Sequence, residues 1–156
     1  MSKSPRKYWL LKSEPDCYSI DDLARDGVTH WSGVRNYQAR NFMRDEMRPG
    51  DGVLFYHSSA EPPGVAGVAE IASAGYGDHT ALDPDDDHFD PKATADEPIW
   101  TMVDVKFVRK FGEVVSTAEL KSTPGLEEML VLRRGQRLSV MPVTEQEFRI
   151  VTKLRK

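Results

Sequence analysis

Three short segments hold most of the residues that could do chemistry in this chain. Lys12-Ser13-Glu14-Pro15 follows an apolar run and sets a cation, a hydroxyl and a carboxylate side by side. Trp31-Ser32-Gly33-Val34-Arg35-Asn36 puts a large aromatic in what reads as a polar loop, beside Gly, Arg and Asn. Tyr56-His57-Ser58 closes another apolar run with three hydrogen-bonding groups. Trp and Tyr offer flat stacking faces, while Asn and Ser present donor and acceptor edges. Together the segments supply what binding a planar heterocycle requires. Trp31 is expected to wall such a site, whereas Trp9 and Trp100 fall within or beside strands and read as structural.

A second chemistry is phosphate contact. Arg40, Arg44 and Arg48 recur at i, i+4 and i+8, with Arg35 just upstream. On a continuous helix they share one stripe that can meet successive phosphates, with Asp45 and Glu46 as partners if it is merely a solvated face. Catalysis has weaker support. Glu14 or His57 would serve as general acid or base at a strand end, but no paired constellation with a forced spacing accompanies them. Cys17 with His57 would make a thiol–imidazole pair only if the thiol were activated, and a lone Cys is more often a small structural residue. The aspartates Asp83, Asp85 and Asp87 sit at positions 1, 3 and 5 of a calcium loop, but His88 stands where Gly is needed and Thr94 where Glu is needed. No phosphate-binding Gly loop, HExxH pair or zinc-ligand spacing occurs, so neither cofactor nor metal is expected.

The elements that must position these groups follow from the pattern. Strands are predicted at Tyr8–Leu11 and Val53–His57. Val65 to Tyr76 is a further strand, across the Pro62-Pro63-Gly64 turn. Val103, Val105 and Phe107 alternate with polar residues at strand period. Leu138-Ser139-Val140 reads as a short strand. Ser19 with Asp22, and Thr144 with Glu147, mark helix starts; the first helix ends at Gly27 and the last buries Phe148, Val151 and Leu154. A continuous helix is predicted over Tyr37–Met47, and another from Thr123-Pro124 through Leu130. Strands in the middle with helices before and after argue for an α+β class and a barrel-like sheet.

The 156 residues make one domain, 1–156, with 1–6 a short flexible tail, and suffice for a full hydrophobic core. No apolar run approaches the roughly 20 residues of a membrane span, and a single Cys rules out an internal disulfide. The net charge of −4 is uneven: residues 83–97 carry seven carboxylates against Lys92, which leaves the remainder at +2. Nucleic acid is therefore not excluded. The acidic run reads as a solvated loop that could be shortened at 83–90 with little loss of stability, or that could meet a basic protein partner.

The run Tyr8 to Pro15, the run Trp31-Ser32-Gly33-Val34-Arg35-Asn36-Tyr37-Gln38-Ala39-Arg40-Asn41, Gly50-Asp51, Tyr56-His57-Ser58, Phe89-Asp90-Pro91-Lys92, Trp100 and Leu138-Ser139-Val140 resemble, in order, the motifs of an EVE domain. The resemblance implies a PUA-like β-pseudobarrel flanked by short helices. Its superfamily includes readers of methylated adenine and of methylated cytosine. It thereby implies a non-catalytic module for DNA or RNA, with a pocket for a modified or flipped base. By that analogy Lys12, Ser13, Glu14, Trp31, Asn36, Tyr56, His57, Ser58, Leu138 and Ser139 line the pocket, and Arg35, Arg40 and Arg44 position the backbone. Eukaryotic members carry a long basic extension, whereas residues 1–7 alone precede the first strand here. A stand-alone bacterial-type protein is expected, cytoplasmic, or nuclear if eukaryotic.

Overall fold

The computed structural model describes residues 6–135 and 138–155. Seven strands form the sheet: β1 (Tyr8–Ser13), β2 (Val28–Trp31), β3 (Gly52–His57), β4 (Gly64–Ile71), β5 (Tyr76–Gly77), β6 (Thr101–Ser116) and β7 (Val140–Val143). Their order is β2-β6-β4-β3-β1-β7, with the two-residue β5 on β6. β1 runs parallel to β3, and every other pairing is antiparallel. Tyr8, Trp9, Leu10 and Leu11 are all buried, so β1 is covered on both faces and reads as a continuous apolar run. Helices flank the sheet, giving the α+β class and a PUA-like pseudobarrel.

Local signals explain the helices. Ser19 and Asp22 exchange hydrogen bonds in a capping box that opens α1 (Ile20–Asp26), and Gly27, at φ 79°, closes it. Thr144 and Glu147 do the same for α4 (Glu145–Lys153), which buries Phe148 and Val151 while Leu154 caps its end half-buried. Asn36 caps α2 (Tyr37–Asn41) by accepting from the Ala39 N–H.

Three expectations are corrected. The helix after Asn36 is not continuous: it passes at Phe42–Glu46 into a π turn that Met47 ends, with its N–H on the Phe42 carbonyl. The widened turn shifts the phase of the side chains, and Arg48 lies beyond it, so the arginine stripe does not run. The helix expected from Thr123 lies earlier, at α3 (Thr117–Ser122). Ser116 caps it through the Glu119 N–H, and it stops at Thr123 because Pro124 pushes the preceding residue out of the helical region. Trp31 belongs to a strand rather than a loop: β2 pairs with β6, Trp31 opposite Val103. Of the expected tail, residues 1–5 lie outside the described residues, and Arg6 is tied to the fold by its Nε on the Gly50 carbonyl (2.6 Å).

One carboxylate joins the start of β1 to the turn before β3. Asp51 is buried and accepts from the Trp9 indole (2.9 Å), the Arg48 N–H (3.0 Å) and the Lys7 N–H (3.2 Å). Trp9 is thus core and anchored. Replacing Asp51 by Ala strands a buried indole N–H and two backbone donors. The expected loss is about 2–4 kcal/mol of unfolding free energy, read as a lower urea midpoint with an unchanged slope.

Candidate base-binding pocket

β2 and β7 stand at opposite ends of the strand order and do not pair, so the pseudobarrel has an open seam. A cavity of about 660 Å³ lies along it, within the usual range for ligand pockets. Lys12, Ser13 and Glu14 reach it from the end of β1, Ser58 from just past β3, and Ser139 from just before β7. Thr29, His30 and Trp31 face it from β2, continued by Ser32 to Arg35; Cys17, Tyr18 and His88 complete the lining.

Six of the residues expected in the pocket therefore share one cavity: Lys12, Ser13, Glu14, Trp31, Ser58 and Ser139. The other four do not line it. Asn36 is occupied as the cap of α2. Tyr56 is buried, and its hydroxyl is pushed up by burial, an effect a hydrogen bond to Thr117 opposes. Leu138 is a buried core residue. The His57 Nε2 accepts the Ile20 N–H (3.1 Å), so its lone pair serves the start of α1; burial pulls its pKa down. That engaged lone pair removes His57 as a ready general base.

Trp31 does two things. It is 9% exposed and packs edge-on against Phe55, ring centroids 5.4 Å apart, while its remaining surface borders the cavity. Trp100 is buried and stacks on Tyr37 at 4.8 Å, with its indole N–H on Asp90 (2.7 Å).

The rim beyond Trp31 is held by a charge that sequence reading missed. Asp78 is 0% exposed and accepts from the Gly33 N–H (2.7 Å), Arg35 Nη1 (3.1 Å), and both the N–H (2.8 Å) and hydroxyl (2.6 Å) of Thr80. Burial by itself would raise its carboxyl pKa, but the bonds from Thr80, Gly33 and Arg35 outweigh it and hold the group below its ordinary value. Arg35 adds donors to the carbonyls of Val34 and His88 and to the Thr80 hydroxyl, and its guanidinium lies over the Trp100 ring. Its polar donors are thus engaged inside the protein. Gly33 is required here: its φ is 81°, and a Cβ would lie 2.8 Å from the His88 ring.

The other arginines are also placed by local bonds. Arg40 Nη1 donates to the carbonyl of Ile99, a β-branched residue at φ 61°, and its other nitrogens meet Asn41. Arg44 is exposed and pairs with Asp45. The acidic run is no free loop. His88 supplies the carbonyl for Arg35, Asp90 receives the Trp100 indole, and the Asp90 N–H bonds the Ala81 carbonyl (2.9 Å). Removing 83–90 would strip the rim of these partners, so the expected tolerance to shortening is corrected.

Sequence reading also passed over His30. Its Nδ1 faces Asp104 (3.1 Å), which accepts the Tyr76 hydroxyl (2.5 Å); burial, then Asp104, pushes the Tyr76 pKa up to about 12. Among the described residues no group of three His, Cys, Asp or Glu side chains could hold a metal ion. No described helix is long and apolar enough to cross a membrane.

A pseudobarrel with a polar, Trp-bordered pocket in its seam defines the class: a PUA-like binding fold. The chain belongs to the EVE domain family, whose model matches residues 7–154. It is 42% identical over 170 residues to human thymocyte nuclear protein 1, covering 97% of this chain and 75% of that protein. A Pseudomonas putida protein of known structure is 51% identical with a TM-score of 0.91, over 96% of this chain and 99% of the other. The human THYN1 protein, solved in complex with DNA containing 5-methylcytosine, is 42% identical with a TM-score of 0.86, over 95% of this chain and 96% of that one.

The rim clamp has a pH signature. Because the Asp78 pKa is depressed on folding, its contribution is complete above the ordinary carboxylate value near 4 and is lost as pH falls through the folded value. Asp78→Asn should lower the denaturant midpoint at pH 7 and shrink the gap to the parent domain as both are acidified below pH ~4. A constant gap across that range would refute the clamp.

Proposed function

We propose that this protein is a non-catalytic reader that takes a modified base, extruded from DNA, into the seam pocket. The observation that carries the reading is the Trp31-bordered cavity in a chain so similar to the human protein solved with 5-methylcytosine DNA. Extruding a base costs a few kcal/mol, least where it is modified, mismatched or already unpaired, so some discrimination is built into the step. Inside the cavity Trp31 supplies the aromatic surface, and Ser13 and Glu14 supply polar groups for the base edge. Asn36, Tyr56, His57 and Leu138 would act indirectly, Asn36 by capping α2, His57 by holding the start of α1, and Tyr56 and Leu138 through the core.

Backbone contact falls to Arg44, whose pair with the adjacent Asp45 is solvent-exposed, weakly held and readily exchanged for a phosphate. Arg35 and Arg40 fix the rim and the Ile99 turn through which the backbone would pass. A DNA ligand assigns the work to the cytoplasm of a bacterium or the nucleus of a eukaryote. RNA carrying a modified base is the second ligand to assay.

The direct test is fluorescence anisotropy with matched oligonucleotides, single- and double-stranded, carrying cytosine or 5-methylcytosine. The modified strand should bind more tightly, without turnover. Equal binding to both would overturn the assignment. Trp31→Leu keeps an apolar side chain against Phe55 but removes the aromatic face. It should lose ~1–3 kcal/mol of affinity for the modified strand, with a smaller part of the loss on the unmodified one. Unlike a free loop residue, Trp31 also packs in the core, so truncation to Ala should cost ~3–5 kcal/mol of stability. Arg44→Ala should flatten the log–log salt dependence by about 0.7–0.9 and weaken both strands alike.

A further inference from the structure

Of the charged side chains around the pocket, Lys12 and Glu14 have no partner of opposite charge among the described residues. Arg35 meets Asp78, His30 faces Asp104, and His88 faces Asp86. Glu14 accepts from the Cys17 thiol at 3.8 Å. Lys12, among the described residues, has no carboxylate or hydrogen-bond partner for its ammonium, which rests 5.7 Å from the centroid of the Tyr56 ring. It is half-buried and borders the cavity. Burial draws its pKa below the ordinary lysine value, as expected for a cation separated from water without a counter-charge.

Two hydroxyls stand beside it. The Lys12 N–H donates to the Ser139 carbonyl (2.8 Å), and the Ser58 N–H donates to the Ser13 carbonyl (3.0 Å), so the three residues occupy adjacent segments at one end of β1. The Ser58 and Ser139 hydroxyls have no hydrogen-bond partner among the described residues, and both border the cavity. An ammonium and two hydroxyls are donors suited to anionic oxygens, and charge-assisted bonds of that kind are about twice as strong as neutral ones. A base edge needs no compact point charge, whereas a phosphate does. An extruded nucleotide necessarily brings its own phosphates to the mouth of the pocket.

We propose that Lys12, with Ser58 and Ser139, receives a phosphate of the extruded nucleotide, so that the seam holds a nucleotide and not a bare base. The proposal rests on the reader assignment above. It divides the work of the pocket: Trp31 meets the base, and Lys12 with Ser58 and Ser139 meets the backbone that carries it.

The test uses oligonucleotides with a single 5-methylcytosine whose 5′ or 3′ phosphate is replaced by a neutral methylphosphonate. They are titrated against the parent domain, Lys12→Met and Lys12→Arg. One of the two replacements should weaken parent binding roughly tenfold, the scale of a lost hydrogen bond to a charged group. Lys12→Met should weaken the unreplaced strand by a similar factor and show no further loss on the replaced one, while Lys12→Arg keeps most of the affinity. Full parent affinity for both replaced strands would overturn the proposal, and that comparison does not depend on any variant folding. Losses that multiply would also overturn it, as would a Lys12→Met variant that loses preference for the modified base on every strand. Preference for 5-methylcytosine that survives any of these results leaves the reader assignment standing. Its absence in the parent domain overturns that assignment instead.

Discussion

The pocket depends on one buried charge. Asp78 sits entirely out of water, where a carboxylate is tolerated only if its oxygens are satisfied and its charge is met. The partners come from both sides of the seam's rim: Gly33 and Arg35 from the segment after β2, Thr80 from the short turn that follows Asp78 itself. Arg35 then carries the restraint outward, to the His88 carbonyl and over the Trp100 ring. Three segments distant in sequence thus share one electrostatic knot. Removing the carboxylate would leave a guanidinium only 22% exposed without its counter-charge, and two stretches of backbone without their anchor.

The same knot explains why the sheet can remain open. A barrel that closed β2 onto β7 would have its edges satisfied by strand pairing. Here the outer edge of β2 borders the cavity instead, and the chain turns sharply away at Gly33 rather than extending the strand. The turn needs a positive φ and the absence of a Cβ against His88, and Asp78 captures the N–H that the turn exposes. Trp31, last residue of β2, is consequently pinned between the Phe55 side of the core and the cavity. A core aromatic whose uncovered surface borders a pocket has a fixed orientation, which is what meeting a base without loss of side-chain entropy requires.

Much of the fold was legible from local chemistry. The boxes at Ser19 and Thr144 locate α1 and α4 because a capping box is a contact between residues three apart. The apolar runs locate β1 and β3 because strands buried on both faces need no alternation. What was not legible depended on partners far along the chain. β2 is four residues long and alternates only once, so its identity comes from pairing with β6 more than 70 residues later. β6 runs to sixteen residues, but its second half carries Arg109, Lys110 and Glu113, and the register slips twice against β4, so no clean period survives there. Asp78 looked like one more acidic residue; its two-residue bond to Thr80 was the only local mark. The pocket residues came mainly from resemblance. Their spacing alone could not separate the six that border the cavity from Asn36, Tyr56, His57 and Leu138, which are taken up as a helix cap, a helix-start acceptor and core.

The charge of the molecule fits a reader that discriminates rather than one that merely adheres. Non-specific affinity for DNA comes almost wholly from neutralised phosphates, and a domain of net −4 whose Arg35 and Arg40 are engaged internally gains less from that source than a basic one. The seven carboxylates of 83–97, a segment whose His88 borders the pocket, add a negative field that a bare duplex meets. Low affinity for ordinary sites is an advantage when those sites vastly outnumber the modified ones, because the useful quantity is the ratio of affinities weighted by site number. Under that constraint the favourable energy has to be gathered where only an extruded nucleotide can reach, in the seam. On the proposed reading, the Lys12 ammonium at the end of β1 and the rigid Trp31 ring at the end of β2 would gather it there.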